Sequence, residues 1–424
     1  MNTIFSAPYA QQLDQHDSLS PFRNEFHIPQ HKGVQQFYFC GNSLGLQPKT
    51  VQAAIQQELD DWAHFGVEGH FHAKHPWMPY HSELRDLLAE CVGAKPIEVV
   101  AMNSLTVNLH FLMVSFYQPN AERPAIIIEQ GAFPSDRYAV ESQIRFHGFD
   151  PAECLIEIES DPETGLIAED TLQKVLMQHG HRVALILWPG VQYRTGQAFD
   201  LKAISELGHV YGCMVGFDLA HAVGNMPLAL HDCGADFAAW CSYKYLNAGP
   251  GAIAGAFVHE RHAHSELPRF HGWWGHQQQT RFQMGPQFKA TPGAEGWQLS
   301  NPPIFAMAPL RASLEIFHAA GFNQLREKSI QLTAYLETLI QQELSAVLRS
   351  VTPKNASQRG CQLSLQVLAG REQGRSLFEY LMANNVIADW REPDVIRLSP
   401  TPLYNRYMDC FQAVQCMKNW ASLS

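Results

Sequence analysis

Apolar positions recur along this chain with two different periods. Residues 50–65, TVQAAIQQELDDWAHF, set Val51, Ala54, Ile55, Leu59 and Trp62 near helical spacing and predict an amphipathic helix. Residues 103–117, NSLTVNLHFLMVSFY, predict another, with Asn103 or Ser104 as its cap. Between such stretches lie short, often β-branched apolar runs: AIIIE at 125–129, VALILW at 183–188, CMVGFD at 213–218 and FAAWCS at 237–242. Runs this short, separated by helical patterns or loops, predict buried strands of a mostly parallel sheet. Repeated strand–helix units from about 50 to 260 predict an α/β sandwich with right-handed crossovers.

Beyond residue 303 the pattern changes. APLRASLEIFHAAGFNQLREKSIQLTAYLETLIQQEL predicts a helix ending near Gly321 and a longer one after it, while CQLSLQV and VIRLSP alternate like strands. We expect a large domain over 50–303 and a smaller α+β domain built from 304–424 together with 1–49.

Composition narrows the class. With 46% hydrophobic residues and nine tryptophans in 424, a sizeable buried core is expected. A net charge of -11 argues against a nucleic-acid surface and against a polybasic membrane patch. No apolar run approaches the roughly 18 residues that span a bilayer, and MNTIFSAPYAQQLDQHD lacks the basic-then-apolar plan of a signal peptide. Nine scattered cysteines without a C-x-x-C pair point to reduced thiols and the cytoplasm. The histidine cluster HFHAKHPW (His70, His72, His75) invites a zinc reading, but no H-E-x-x-H or cysteine pair accompanies it. No metal is expected there.

One cation stands out. In AWCSYKYLNAGPG, residues 239–251, Lys244 sits among Trp240, Tyr243 and Tyr245 with no acidic neighbour. Taken singly it reads as a snorkelling lysine at a strand end. Its alternative role is Schiff-base formation, because desolvation favours the free amine. Upstream, VGFDLAHAVGN puts Asp218 at the end of an apolar strand and His221 three residues later. A carboxylate there, ahead of a lysine on a later loop, suits pyridoxal phosphate: the acid keeps the ring nitrogen protonated and the amine reaches the aldehyde. Leu105 and Thr106 at a helix start offer N–H groups and a hydroxyl to the phosphate, Tyr243 adds a phenol, and Phe133 in GAFPSDRY offers a flat face, with Asp136 close behind.

The segments FYFCGNSLGLQP, NSLTVNLH, FPSDRYA, GFDLAHAVGN, WCSYKYLNAGPG, GWWGH, LSNPPI and RLSPTPLYN together resemble kynureninase, a pyridoxal-phosphate family of the aminotransferase class V fold (fold type I). The resemblance runs from about residue 37 to the RLSPTPLYN segment. It implies that Lys244 carries the cofactor as a Schiff base and that Asp218 pairs with the ring nitrogen. It also implies that Leu105, Thr106, Phe133, Pro134, Ser135, Asp136, His221 and Tyr243 line the cofactor, with Trp273 and Asn301 completing the site, partly from a dimer neighbour. Arg397 matches the arginine that holds the substrate carboxylate, a role suited to a guanidinium fork; Ser43, His70 and Asn301 match substrate-contacting positions. Pro189 falls where some relatives offer a hydroxyl. The implied activity is hydrolysis of L-kynurenine to anthranilate and L-alanine, and of 3-hydroxykynurenine in the same way, by a cytoplasmic homodimer. The alternatives are another class V enzyme, such as a cysteine desulfurase or an aminotransferase, and a non-catalytic pyridoxal-binding protein.

Overall fold

The computed structural model describes residues 4–423. The apolar runs become a seven-stranded sheet. Its strands are β1 (Val99–Ala101), β2 (Ala125–Glu129), β3 (Leu155–Ile158), β4 (Val183–Pro189), β5 (Met214–Asp218), β6 (Phe237–Trp240) and β7 (Gly255–Val258). Their spatial order is β1-β7-β6-β5-β4-β2-β3. Pairings from β3 through β6 are parallel, and only β7 runs against its two neighbours. β2, β6 and β7 are buried at every position, which is why they read as continuous apolar runs rather than alternating ones. The expected mostly parallel, helix-flanked α/β architecture is the one observed.

A second, antiparallel sheet follows. β8 (Leu348–Ser350), β9 (Leu363–Val367), β10 (Asp389–Arg391) and β11 (Val395–Leu398) lie in the order β8-β9-β11-β10. Its core joins Leu336, Leu363, Leu381 and Met417 to Ala10 and Phe39 from the N-terminal segment. Phe37–Tyr38 also pairs with Val386–Ile387, so the first forty residues are stitched to the last hundred. The predicted helix pair is present as Ile304–Ala320 and Phe322–Leu344, broken at Gly321 with φ 78°. The first of these packs Met307, Leu310 and Phe317 into the core of the large sheet.

Helix Thr50–Phe65 has the predicted bounds but not the predicted burial. Leu59 and Trp62 are exposed, while Glu58 and Asp61 are buried. Glu58 accepts Trp77 Nε1 at 3.0 Å and the Tyr80 hydroxyl at 3.0 Å, and Asp61 accepts the Lys74 N–H at 3.0 Å. Buried carboxylates with such donors are tolerated; Val51 stays buried and Ala54 and Ile55 half-buried, so only the C-terminal end of the stripe, Leu59 and Trp62, faces outward.

Candidate active site

In a parallel sheet every strand delivers its carboxyl end to the same side, and ligands bind there. Pro189 lies opposite Asp218, and Asp218 opposite Ala239, so β4, β5 and β6 finish in register. The loop after β6 carries Tyr243 and Lys244 to that edge. Helices Leu105–Phe116 and Pro134–Phe146 begin there, and their first turns touch through Thr106 Oγ1 and Ser135 Oγ, 2.8 Å apart. Ser104 occupies the cap position of the first helix without a side-chain capping bond. Together these segments enclose a cleft of about 290 Å³ that Leu105, Thr106, Phe133, Ser135, Asp136, Pro189, Asp218, His221, Tyr243 and Lys244 line.

The cleft is electrically polarised. On one side stand three carboxyls, Glu129, Asp136 and Asp218, all nearly buried. Burial and the adjacent Asp218 charge push Glu129 up to about 8 and hold Asp136 well above the ordinary carboxylate range. Asp218 accepts the Ala220 N–H at 2.7 Å, whereas Asp136 Oδ1 is buried with no hydrogen-bond partner. Such a cluster calls for a cation. On the other side, the first turns of the two helices and the hydroxyls of Thr106 and Ser135 offer donors to an anion. Lys244 Nζ sits between, donating to His221 Nε2 at 3.0 Å and lying 5.9 Å from the centre of the Phe133 ring. Burial, then the Lys244 charge, drives His221 far below the usual imidazole range, so it is neutral. Its Nδ1 has no partner. Burial also raises the Tyr243 phenol, which stays protonated at neutral pH.

A flat ring with a protonated nitrogen, an aldehyde and a phosphate matches this layout: cation partner at the carboxyls, anion partner at the helix starts, an amine between them and an aromatic face alongside. Pro189 lines the cleft but has neither hydroxyl nor N–H to offer it.

The small sheet closes the cleft with two arginines. Arg397 of β11 is fully buried; it donates to the Tyr193 carbonyl at 2.6 Å and to Ser43 Oγ at 3.2 Å, and meets Asp389 Oδ2 at 2.8 Å. Ser43 arrives from the N-terminal loop, whose Gly45 N–H donates to the Tyr243 carbonyl at 2.9 Å. That approach is so close that a Cβ on Gly45 would lie 2.3 Å from the Lys244 carbonyl oxygen.

Pro134 opens the second helix without lining the cleft, and three further expected residues are elsewhere. His70 packs edge-on against Trp77 at 5.5 Å, Trp273 donates to the Arg281 carbonyl at 3.2 Å and is 40% exposed, and Asn301 is exposed. None lines the cleft of a single chain. Conversely, the sequence reading did not single out Glu129, Tyr193, Asp389 or Arg391, all of which line the cleft or brace its arginines. Asp389 and Arg391 stand on a strand paired with that of Arg397, a relation that the structure and not the sequence shows. Two of the 70–75 histidines meet local carboxylates: His75 lies 3.0 Å from Glu83 and His72 3.7 Å from Glu68. A separate trio, Glu98, His231 and His259, gathers its ligand atoms within 4.8 Å, but Glu98 already accepts the Lys95 and Glu260 N–H groups.

Fold and cleft together define a pyridoxal-phosphate enzyme of class V, fold type I. Among solved structures the chain is similar to the cysteine desulfurase CsdA from Escherichia coli (TM-score 0.77, 16% identity, covering 96% of this chain and 99% of that one). It is also similar to a C-DES mutant with glycine covalently linked to its PLP cofactor (TM-score 0.75, 18% identity, 90% and 96% covered). These likenesses establish the fold. Residues 325–417 match the kynureninase C-terminal domain. Over all of both chains, the protein is 59% identical to the kynureninase of Stenotrophomonas maltophilia (strain K279a) and 60% identical to that of Xanthomonas campestris pv. campestris (strain B100). The chain belongs to the kynureninase family.

Proposed function

We propose that this protein hydrolyses the Cβ–Cγ bond of L-kynurenine, yielding anthranilate and L-alanine, with pyridoxal phosphate held on Lys244. The observation that carries this reading is the presence in one cleft of Lys244, the Asp218 carboxyl cluster and Arg397. A protein that merely stored the cofactor has no use for a carboxylate clamp. When bound, the cofactor supplies an electron sink for negative charge at the carbon bearing the substrate amine. Asp218 would keep the proton on the ring nitrogen, and Phe133 would offer its ring alongside. Leu105, Thr106 and Ser135 would hold the phosphate at the two helix starts. Arg397 and Ser43 fix the substrate carboxylate, which points the Cα hydrogen at Lys244. The Lys244 amine then takes that proton and later returns it, with neutral His221 accepting a hydrogen bond from the amine without competing for its charge. Tyr243, protonated beside the lysine, is the donor for protons delivered near the phosphate end.

The same reading assigns His70, Trp273 and Asn301 to the aromatic half of the substrate, contributed across a homodimer. Support comes from the outward apolar residues Leu59 (40% exposed), Trp62 (58%), Phe71 (58%) and Phe305 (44%), a set that a second copy would cover. A slot with apolar walls excludes an added hydroxyl poorly, so 3-hydroxykynurenine is a second substrate. The nine cysteines, none in a disulfide, suit the cytoplasm; no helix among the described residues is long and apolar enough to cross a membrane.

The test is an absorbance spectrum of the purified protein with anthranilate fluorescence followed after L-kynurenine is added. A band above roughly 400 nm that Lys244→Ala abolishes, together with anthranilate release, is expected. A band without anthranilate refutes the substrate; no band after adding pyridoxal phosphate refutes the cofactor.

A further inference from the structure

The arginine assigned to the substrate carboxylate already has a carboxylate. Asp389 stands directly across from Arg397 in the β10–β11 pair, and its Oδ2 lies 2.8 Å from Arg397 Nη2. Two residues along the same strand, and so on the same face, Arg391 grips the same group from the other side. Its Nη2 donates to Oδ2 at 3.1 Å, and its Nε lies 2.9 Å from Oδ1 as an ion-pair contact without hydrogen-bond alignment. Ser43 donates to Asp389 as well and accepts from both arginines. Two guanidinium groups thus share one carboxylate in the wall of the cleft, leaving one positive charge over.

Arg397 has little free capacity. One Nη1 hydrogen goes to the Tyr193 carbonyl, Nη2 serves Asp389 and Ser43, and the buried Nε has no partner. A substrate carboxylate taking the fork by two points needs an Nη2 hydrogen and so competes with Asp389 and Ser43 for it. Burial alone would raise the Asp389 carboxyl, but the two arginines and Ser43 outweigh it and hold it below the usual range, so it stays ionised and needs a cation throughout. Arg391 provides one without leaving its place.

We propose that Asp389 is a surrogate carboxylate that occupies Arg397 until substrate arrives, and that Arg391 is the positioning residue that retains Asp389 during the exchange. This rests on the reading of Arg397 as the carboxylate clamp. Asp389 then costs the enzyme affinity for every α-carboxylate but screens the buried charge of Arg397, so that a chance anion gains little from entering.

The test uses the holoenzyme and a pair of small amines: L-alanine, which carries the α-carboxylate, and ethylamine, which does not, each titrated through the change in the cofactor's absorbance. Asp389→Asn is expected to lower the L-alanine Kd severalfold and leave ethylamine unchanged. Arg391→Gln, which throws Asp389 wholly onto Arg397, is expected to raise the L-alanine Kd about tenfold, the scale of one hydrogen bond to a charged group. In the double variant the Arg391→Gln penalty disappears, because its cause is gone. Weaker L-alanine binding in Asp389→Asn overturns the proposal, as does an Arg391→Gln penalty that persists in the double variant, which would make Arg391 a direct ligand. If Asp389→Asn does not fold, Arg391→Gln alone decides, and an unchanged L-alanine Kd overturns it. Failure of the underlying reading has its own signature: an Arg397→Gln enzyme that still prefers L-alanine to ethylamine as strongly as the parent.

Discussion

Glu129 at the end of β2 offers the sharpest quantitative prediction, because its proton is out of place. The carboxyl is 5% exposed and pushed up to about 8 from an ordinary 4.5, by burial first and by the Asp218 charge beside it. The native protein therefore holds a proton between pH 4.5 and 8 that the unfolded chain releases. Stability falls across that window as pH rises, is unaffected by this group below about pH 4, and levels off above about 8. At about 1.36 kcal/mol for each pH unit of difference, ionised Glu129 costs the native state up to about 5 kcal/mol at pH 9. Glu129→Gln keeps the shape and removes the charge. In the cofactor-free protein, where no ring cation compensates, its melting temperature is expected to exceed the parent's at pH 9. For a chain of 424 residues the full effect corresponds to about 5 °C, and at pH 4.5 the two proteins should melt together. Differential scanning calorimetry at pH 4.5, 7 and 9 is the assay. A shift of equal size at all three pH values would falsify the reasoning, since it would mean that packing and not ionisation separates the two side chains. Cofactor loading should shrink the gap at pH 9, because a positive ring nitrogen stabilises all three carboxylates.

Three further outcomes are expected. Tyr243→Phe should retain the cofactor band while slowing turnover by about 10²-fold, the lower end of what a positioned proton donor supplies; stopped-flow traces with every step unchanged would dispose of that role. Gly45→Ala forces a methyl group to 2.3 Å from the Lys244 carbonyl and Asn247 Oδ1, and should cost about 1–3 kcal/mol with easier cofactor loss on dialysis; a protein with the parent's urea midpoint and cofactor retention contradicts that packing. Trp62→Glu places a charge beside Phe305 on the outward apolar face and, if the proposed homodimer forms there, should shift sedimentation from dimer to monomer with loss of anthranilate formation; a fully active dimer would show that this face serves some other purpose.

Much of the fold was legible because buried parallel strands announce themselves. AIIIE has no polar position, and β2 has no solvent-facing side. Strands β1, β3 and β7, three or four residues long, escaped notice, whereas β6, equally short, was caught inside the longer run FAAWCS. Lys244 stood out for the same physical reason that makes it useful: an ammonium among aromatic residues has no bland explanation once Asp218 is aligned with it. Arg391 had no such contrast. In WREPDVIR it reads as any surface arginine, and only the pairing of β10 with β11 reveals that it shares a carboxylate with Arg397. The amphipathic pattern of Thr50–Phe65 misled about direction, because periodicity identifies a stripe but not what covers it. Here Glu58 and Asp61 found donors inside, and Leu59 and Trp62 at the end of the stripe turned outward while Val51 stayed buried.

The joining of Ser43 and Arg397 across the cleft has a consequence for how the protein is made. Lys244 and its carboxyl cluster leave the ribosome first; Arg397 follows roughly 150 residues later, a delay of about 8–30 s at ordinary rates of synthesis. Throughout that interval the growing chain possesses the amine and the acidic wall but has nothing with which to grasp an amino acid's carboxylate. Asp389 emerges eight residues ahead of Arg397, so the arginine's first partner is already waiting when it appears. The order of translation thus makes the residues proposed for the cofactor available before the arginine proposed for the substrate.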